Sequence, residues 1–227
     1  MQNRKEDVNQ PLELSRKVFQ NLEFDLRTLL NGFVGPIQLL KFKLDDPDLV
    51  EIFRLLDSTL YRLERLASRS NIVSKFELDI DHLSKRTINI VDVARYSIIE
   101  LQTITDLENV KINIQPTNGP ISLQGDYDLL LQVFEILLEH TISLSHDNST
   151  VEVSFNMNDQ QVVCSIYSPS ATFSSEIGNP HYSEGDSNNL SWGLFLAISI
   201  LQKHNASVVV NHSDGNTNKL DIIFNLQ

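Results

Sequence analysis

The sequence predicts an α+β chain in two parts: an N-terminal two-helix hairpin, then an α/β sandwich. Two observations predict it. Over residues 12–76 apolar side chains recur every three or four positions, the period of a helix with one buried face. From about residue 87, short alternating runs and helical runs follow one another, separated by turn residues. The charge balance changes at the same place. Residues 1–80 carry 12 Lys and Arg against 13 Asp and Glu, whereas 81–227 carry 6 against 17, leaving −11 of the net −12 in the second part.

Residues 1–11 are polar and are expected to be frayed. From Leu12 a stripe of Leu14, Val18, Leu22, Leu26, Leu29, Phe33, Ile37 and Leu40 predicts a first helix to about Phe42, stopped before Pro47. Leu49, Ile52, Leu56, Leu60, Leu63 and Leu66 predict a second, from Asp48 to about Phe76, with Arg62, Glu64, Arg65 and Arg69 on its wet side. A lone hairpin of this kind leaves a broad apolar stripe uncovered, so two chains are expected to pair into a four-helix bundle. The alternative is that the second part covers the stripe. The hairpin is assigned to 12–78, a linker to 79–86, and the sandwich to 87–227.

In the second part Thr87–Ile90 reads as a strand, and Asp92 as the cap of a helix reaching about Ile104. Val110–Ile114 and Ile121–Gln124 read as strands around the Asn118-Gly119-Pro120 turn. Gly125-Asp126 opens a helix from Tyr127 to Leu144. Val151–Met157 and Val162–Tyr167 alternate as strands. Residues 168–190, rich in Ser, Asn, Gly and Pro, read as a mobile loop. Trp192–His204 is an apolar helix, and Ser207–Asn211 with Leu220–Phe224 make a final hairpin across Asp214-Gly215-Asn216.

Composition excludes several classes. No apolar run approaches the roughly 18 residues of a membrane span, and the N-terminus lacks the apolar segment of a secretory signal. One cysteine, Cys164, forms no internal disulfide, which leads us to expect a reducing cytoplasmic setting. No Lys or Arg occurs from Ile112 through Gln202, so nucleic acid and anionic membrane surfaces are not expected partners. His82, His140, His146, His181, His204 and His212 are scattered without metal-ligand spacing, and no metal site is predicted.

The stretch Glu23-Phe24-Asp25-Leu26-Arg27-Thr28-Leu29-Leu30-Asn31, followed by Gly35-Pro36, resembles the phospho-acceptor helix of two-component sensor histidine kinases. That family's pattern is roughly Ser-His-Glu-Leu-Arg-Thr-Pro-Leu-Asn. Asp25, Leu26, Arg27, Thr28, Leu30 and Asn31 match it. Phe24 stands where the histidine belongs and Leu29 where the proline belongs. A phenyl ring has no lone pair to attack phosphorus, so this helix cannot carry a phosphohistidine. The element order of the second part resembles the family's ATP-binding domain, and Gly125–Val133 resembles the lead into its asparagine-bearing helix.

The resemblance implies where a nucleotide would bind. The family sets two asparagines four residues apart on that helix, one of them a magnesium ligand. Ile136 and His140 occupy these positions. Isoleucine ligates nothing, and magnesium prefers oxygen to imidazole. The family's Asp-x-Gly-x-Gly loop, whose aspartate holds the adenine amine, is replaced by Ser168-Pro169-Ser170 after the strand. The last phosphate loop reads Ser191-Trp192-Gly193-Leu194-Phe195; Gly193 survives, while Trp192 and Phe195 are expected to crowd the turn and fill a vacated pocket. No cofactor is expected, and ATP binding is disfavoured.

Two functions follow from the resemblance. The first is a non-enzymatic dimeric module that docks a response-regulator receiver domain or a partner kinase through Phe24, Asp25, Arg27, Thr28 and Asn31. The second is a response-regulator phosphatase, in which Asp25 and Thr28 orient water toward an aspartyl phosphate, a reaction that needs no histidine. A histidine phosphotransfer protein shares the architecture but needs a histidine on the first helix, and none is there.

Overall fold

A computed structural model describes residues 26, 28–42, 49–78, 83–174, 177, 192–213 and 217–226. The chain divides into two compact units, Met1–Leu83 and Ser84–Gln227.

In the first unit, helix α1 (28–42) runs without a break through Gly32, Gly35 and Pro36. Helix α2 spans Val50–Leu78. Lys41 on α1 forms an ion pair with Asp57 on α2, and the same ammonium lies 5.9 Å from the Phe53 ring centroid. Leu30, Ser58 and Ala67 are buried. Much of the predicted stripe is not: Leu29, Phe33 and Leu40 on α1, and Ile52, Leu56, Leu63 and Leu66 on α2, are exposed.

The second unit is a mixed α+β sandwich. Among the described residues its main sheet has five strands: β2 (Lys111–Ile114), β4 (Thr150–Met157), β5 (Gln161–Tyr167), β7 (Thr217–Asn225) and β6 (Ala206–Ser213), in that spatial order. The β2–β4 pair is parallel and the rest antiparallel. A separate antiparallel ribbon pairs β1 (Arg86–Asn89) with β3 (Ser122–Gly125). Helices α3 (Ile90–Glu100), α4 (Gln102–Leu107), α5 (Tyr127–Leu144) and α6 (Trp192–Lys203) complete it. Helix α5 packs against both α3 and α6. One face of the sheet, with Val151, Val153, Val162, Cys164, Ile166, Leu220, Ile222 and Phe224, closes a single core with these helices. Burial pushes the Cys164 thiol well up, as for an inert core cysteine.

Three sequence expectations are corrected here. The first strand covers Arg86–Asn89, and Ile90 already belongs to α3. The cap of α3 is Asn89, whose side-chain oxygen accepts from the Val91 and Ile121 N–H groups; Asp92 lies in the first turn and accepts from the Asn89 amide instead. Asn89 does two tasks, since it starts α3 and fastens the segment ahead of β3 (Ser122–Gly125). Finally, the segment after β5 begins as packed chain: Ser168, Ala171, Phe173 and Ile177 are buried. The expected turn at Asp214-Gly215-Asn216 lies outside the described residues.

Candidate functional site

The candidate site is built on α5. Asp126 starts that helix, with Oδ1 accepting from Leu129 N–H at 3.3 Å and Oδ2 accepting from Ser84 N–H at 3.0 Å. The Asp126 N–H donates to His204 Nε2 at 3.0 Å, and the His204 Nδ1 lies 2.8 Å from the Ile200 carbonyl oxygen. His204 therefore holds the Nδ1–H tautomer, with both nitrogens committed, and joins the end of α6 to the start of α5. Burial lowers its pKa, outweighing the bond to Ile200. Gly125 makes the close approach possible, because a Cβ there would meet Leu130 Cδ1 at 2.6 Å.

Ile136 and His140 lie one helical turn apart on one side of α5. Ile136 is buried. His140 is half-buried, and its ring lies 6.1 Å from the ring of buried Phe173, tilted by 43°. Burial lowers the His140 pKa and outweighs the raising effect of Glu139, so its ring is neutral at physiological pH. Just beyond β5, the buried Ser168 hydroxyl is 2.8 Å from Ser145 Oγ, which donates to the Thr141 carbonyl oxygen. Ser170 Oγ accepts from His146 N–H at 3.0 Å. The hydroxyls in this stretch are thus spent on closing the segment against the end of α5.

At the start of α6, Gly193, Leu194, Leu196 and Ala197 are buried, but Phe195 is 45% exposed. Phe195 is not the filler the sequence predicts. Phe173 and Ala171 are buried instead, from a segment that composition marks as loop. No spacing rule finds them; their apolar character inside a Ser- and Pro-rich stretch is the available signal. Of the acceptor-helix residues, Thr28 and Asn31 are exposed on α1, while Phe24, Asp25 and Arg27 lie outside the described residues. Among the described residues no cluster of His, Cys, Asp or Glu could hold a metal ion, and no helix is long and apolar enough to cross a membrane.

No family model matches the chain. Over 162 residues it is 26% identical to the hybrid signal transduction histidine kinase G of Dictyostelium discoideum, a match that covers 68% of this chain and 5% of that protein. Several solved structures are similar. Histidine kinase ThkA in complex with response regulator protein TrrA matches at TM-score 0.57 and 17% identity, covering 99% of this chain and 64% of that one. The Acinetobacter baumannii histidine kinase AdeS matches at TM-score 0.55 and 16% identity, covering 89% of this chain and 95% of that one. The catalytic domain of ThkA alone matches at TM-score 0.55 and 13% identity, covering 63% and 97%. The fold is histidine-kinase-like.

Proposed function

We propose that this chain is a catalytically silent histidine-kinase-like module, assembled as a homodimer through residues 12–78, with 79–86 as linker and 87–227 as the kinase-like domain. Its task is docking: a response-regulator receiver domain or a partner kinase binds the α1 face that includes Phe24, Asp25, Arg27, Thr28 and Asn31. The observation that carries the reading is the pair on α5. Ile136, buried, offers no ligand atom, and His140 leans on Phe173 as a neutral ring. A magnesium ion bound to triphosphate needs hard oxygen ligands at such a place. Ser168 is committed to Ser145 and supplies no carboxylate for an adenine amine. The acidic balance of residues 81–227 adds a repulsive field for a polyanion.

The homodimer is supported by the exposed apolar residues of both helices. At about 3.6 residues per turn, Leu29, Phe33 and Leu40 fall within roughly 40° of one another on α1. A second stripe of Ile52, Leu56 and Leu63 lies along α2. Such stripes bury themselves against a second hairpin in a bundle. The match to a kinase in complex with its response regulator, over 99% of this chain, favours a receiver domain as partner.

The test is a thermal melt with and without Mg-ATP. No shift in melting temperature at sub-millimolar nucleotide is expected. Stabilisation that grows with nucleotide concentration, as linkage requires of a ligand, refutes the silent pocket. Exposed Thr28 also keeps open the phosphatase reading, with Asp25 as its acidic partner. Under the docking reading, neither the native chain nor Thr28→Ala shortens the lifetime of a phosphorylated receiver domain. A shortened lifetime abolished by Thr28→Ala selects the phosphatase instead.

A further inference from the structure

The two outer strands of the five-stranded sheet differ in how they are protected. β2 is four residues long, begins with Lys111, and is followed by Pro116. Short length, lysine and nearby proline are the usual defences of a sheet edge. β6 has none of them. It runs for eight residues, Ala206–Ser213, with no Lys, Arg, Asp, Glu or Pro. Its register with β7 is regular from Ala206–Phe224 to Ser213–Thr217, so no bulge twists it away. No described strand pairs with its outer side.

Ladder parity tells which groups face outward. Asn225 N–H donates to the Asn205 carbonyl, and Leu226 N–H donates to the Gln160 carbonyl. Odd-numbered residues of β7 thus bond toward β6 and even-numbered ones toward β5. On β6 the odd positions, Ser207, Val209 and Asn211, are spent on β7. The N–H and C=O groups of Ala206, Val208, Val210 and His212 point to the open edge.

We propose that β6 is a self-pairing edge, at which two copies of this chain join β6 to β6 in antiparallel register centred on Val209. That register is self-complementary in every described row. Val208 and Val210 exchange both backbone bonds with Val210 and Val208 of the second copy, and their side chains extend the core face. Val209, 39% exposed, meets its own counterpart as a non-hydrogen-bonded pair on the open face. Ser207 faces Asn211, polar against polar. Charge permits the approach although each copy is acidic: β6 carries no charge, and the charged neighbours on β7, Lys219 and Asp221, form an ion pair at 3.1 Å. Asp221 also accepts from Ser165 Oγ and the Asn211 amide. This interface is separate from the hairpin and independent of the reading proposed for it.

Cross-linking of the full chain tests the register. Cys164 is buried, so an introduced thiol is the reactive one. In the proposed register the Cα atoms of paired 209 positions are about 4.5 Å apart, within disulfide range. Position 207 pairs with 211, which puts the two 207 positions roughly 13 Å apart along the strands. Under mild oxidation, Val209→Cys is expected to give at least about tenfold more linked dimer than Ser207→Cys. Adding Val208→Pro to Val209→Cys removes an outward N–H but no bond to β7, and is expected to abolish the excess. Equal linking at 207 and 209 overturns the proposal. Val209→Lys is the fold-safe companion, since that side chain already faces water. Made on a chain that also carries Leu29→Glu and Leu63→Glu, so that hairpin pairing is absent, it is expected to take the dimer to the monomer by sedimentation at micromolar concentration; an unchanged mass overturns the proposal. Leu29→Glu with Leu63→Glu removes the hairpin contribution alone, so the failure of either interface is read separately.

Discussion

In the second unit Leu130, Phe134, Leu137 and Leu138 of α5 are fully shielded from water, between α3, α6 and the sheet. In the first unit Leu29 is 62%, Phe33 60% and Leu55 60% exposed. The same residue type at the same helical spacing has two fates. The sheet supplies α5 with a surface wide enough to cover its apolar sides. Two helices supply only one seam, and the remaining apolar residues stay exposed. Changes in the buried core of the second unit should therefore act on stability at any protein concentration, whereas charges placed on the exposed stripe of the first should act on assembly and scale with concentration.

The largest effect is expected at Phe134. Phe134→Ala removes a fully buried ring and should destabilise the second unit by about 3–5 kcal/mol. Urea unfolding followed by circular dichroism measures this, and the loss should be the same at low and high protein concentration. A loss that faded on dilution would mean that α5 is itself part of an assembly surface and would dissolve the contrast.

The next effect lies in the first unit. Leu29→Glu with Leu63→Glu changes two exposed positions, so the isolated fold tolerates them, but burying those charges at a bundle seam is costly. Sedimentation should show the hairpin-mediated pairing weakened by at least about a hundredfold, roughly 3 kcal/mol. The melting of the second unit should stay where it was. On the Val209→Lys background, which removes pairing through β6, pairing that survived both substitutions would place the hairpin seam elsewhere.

The fold was legible to different depths in the two units, for a physical reason. Periodicity finds segments, so α5 is predicted at its observed ends, Tyr127 and Leu144, with Gly125 and Asp126 ahead of it. Caps compete locally, and Asn89 displaced Asp92 because its short amide reaches both Val91 and Ile121, a tertiary partner that sequence does not reveal. The candidate site was half legible. Ile136 and His140 come from the resemblance of Gly125–Val133 to the lead into the family's asparagine-bearing helix, and the structure shows them one turn apart on α5. Phe173 against His140 could not be located, since it comes from a stretch whose composition reads as loop. Phe195 shows the converse: an aromatic in an apolar helix whose side chain turns to water.

Acidity should separate the units again. His204 and His140, both in the second unit, are held below their ordinary pKa chiefly by burial. The unfolded chain takes up protons as pH falls through about 6.5, while these folded histidines stay neutral. The stability they hold is full above that pH, and it declines below it until the folded pKa values are reached. The second unit should therefore melt lower at pH 5.5 than at pH 7.5. His204→Gln should shrink that difference while lowering stability at pH 7.5, because the Asp126 N–H loses its imidazole acceptor. A pH response unaltered by His204→Gln would assign it to other groups.

The smallest effects come from one substitution made in both units. Gly35 lies inside α1, and a Cβ built there meets nothing within 4 Å. Glycine inside a helix costs roughly 0.5–1 kcal/mol relative to alanine, because the unfolded chain has more freedom to lose. Gly35→Ala should stabilise the first unit by about that amount. At Gly125 the same added methyl meets Leu130 Cδ1 at 2.6 Å, Leu123 Cδ1 at 3.2 Å and Ile88 Cδ1 at 3.3 Å. Those side chains are buried, so they cannot swing into solvent, and Gly125→Ala should destabilise the second unit. The opposite signs, measured by separate melting transitions, test the comparison at its root. A gain at both sites would mean that the α5 start has slack which its packing does not show. A loss at Gly35 would mean that another chain packs closely on that face of α1, so that the open glycine belongs to an interface.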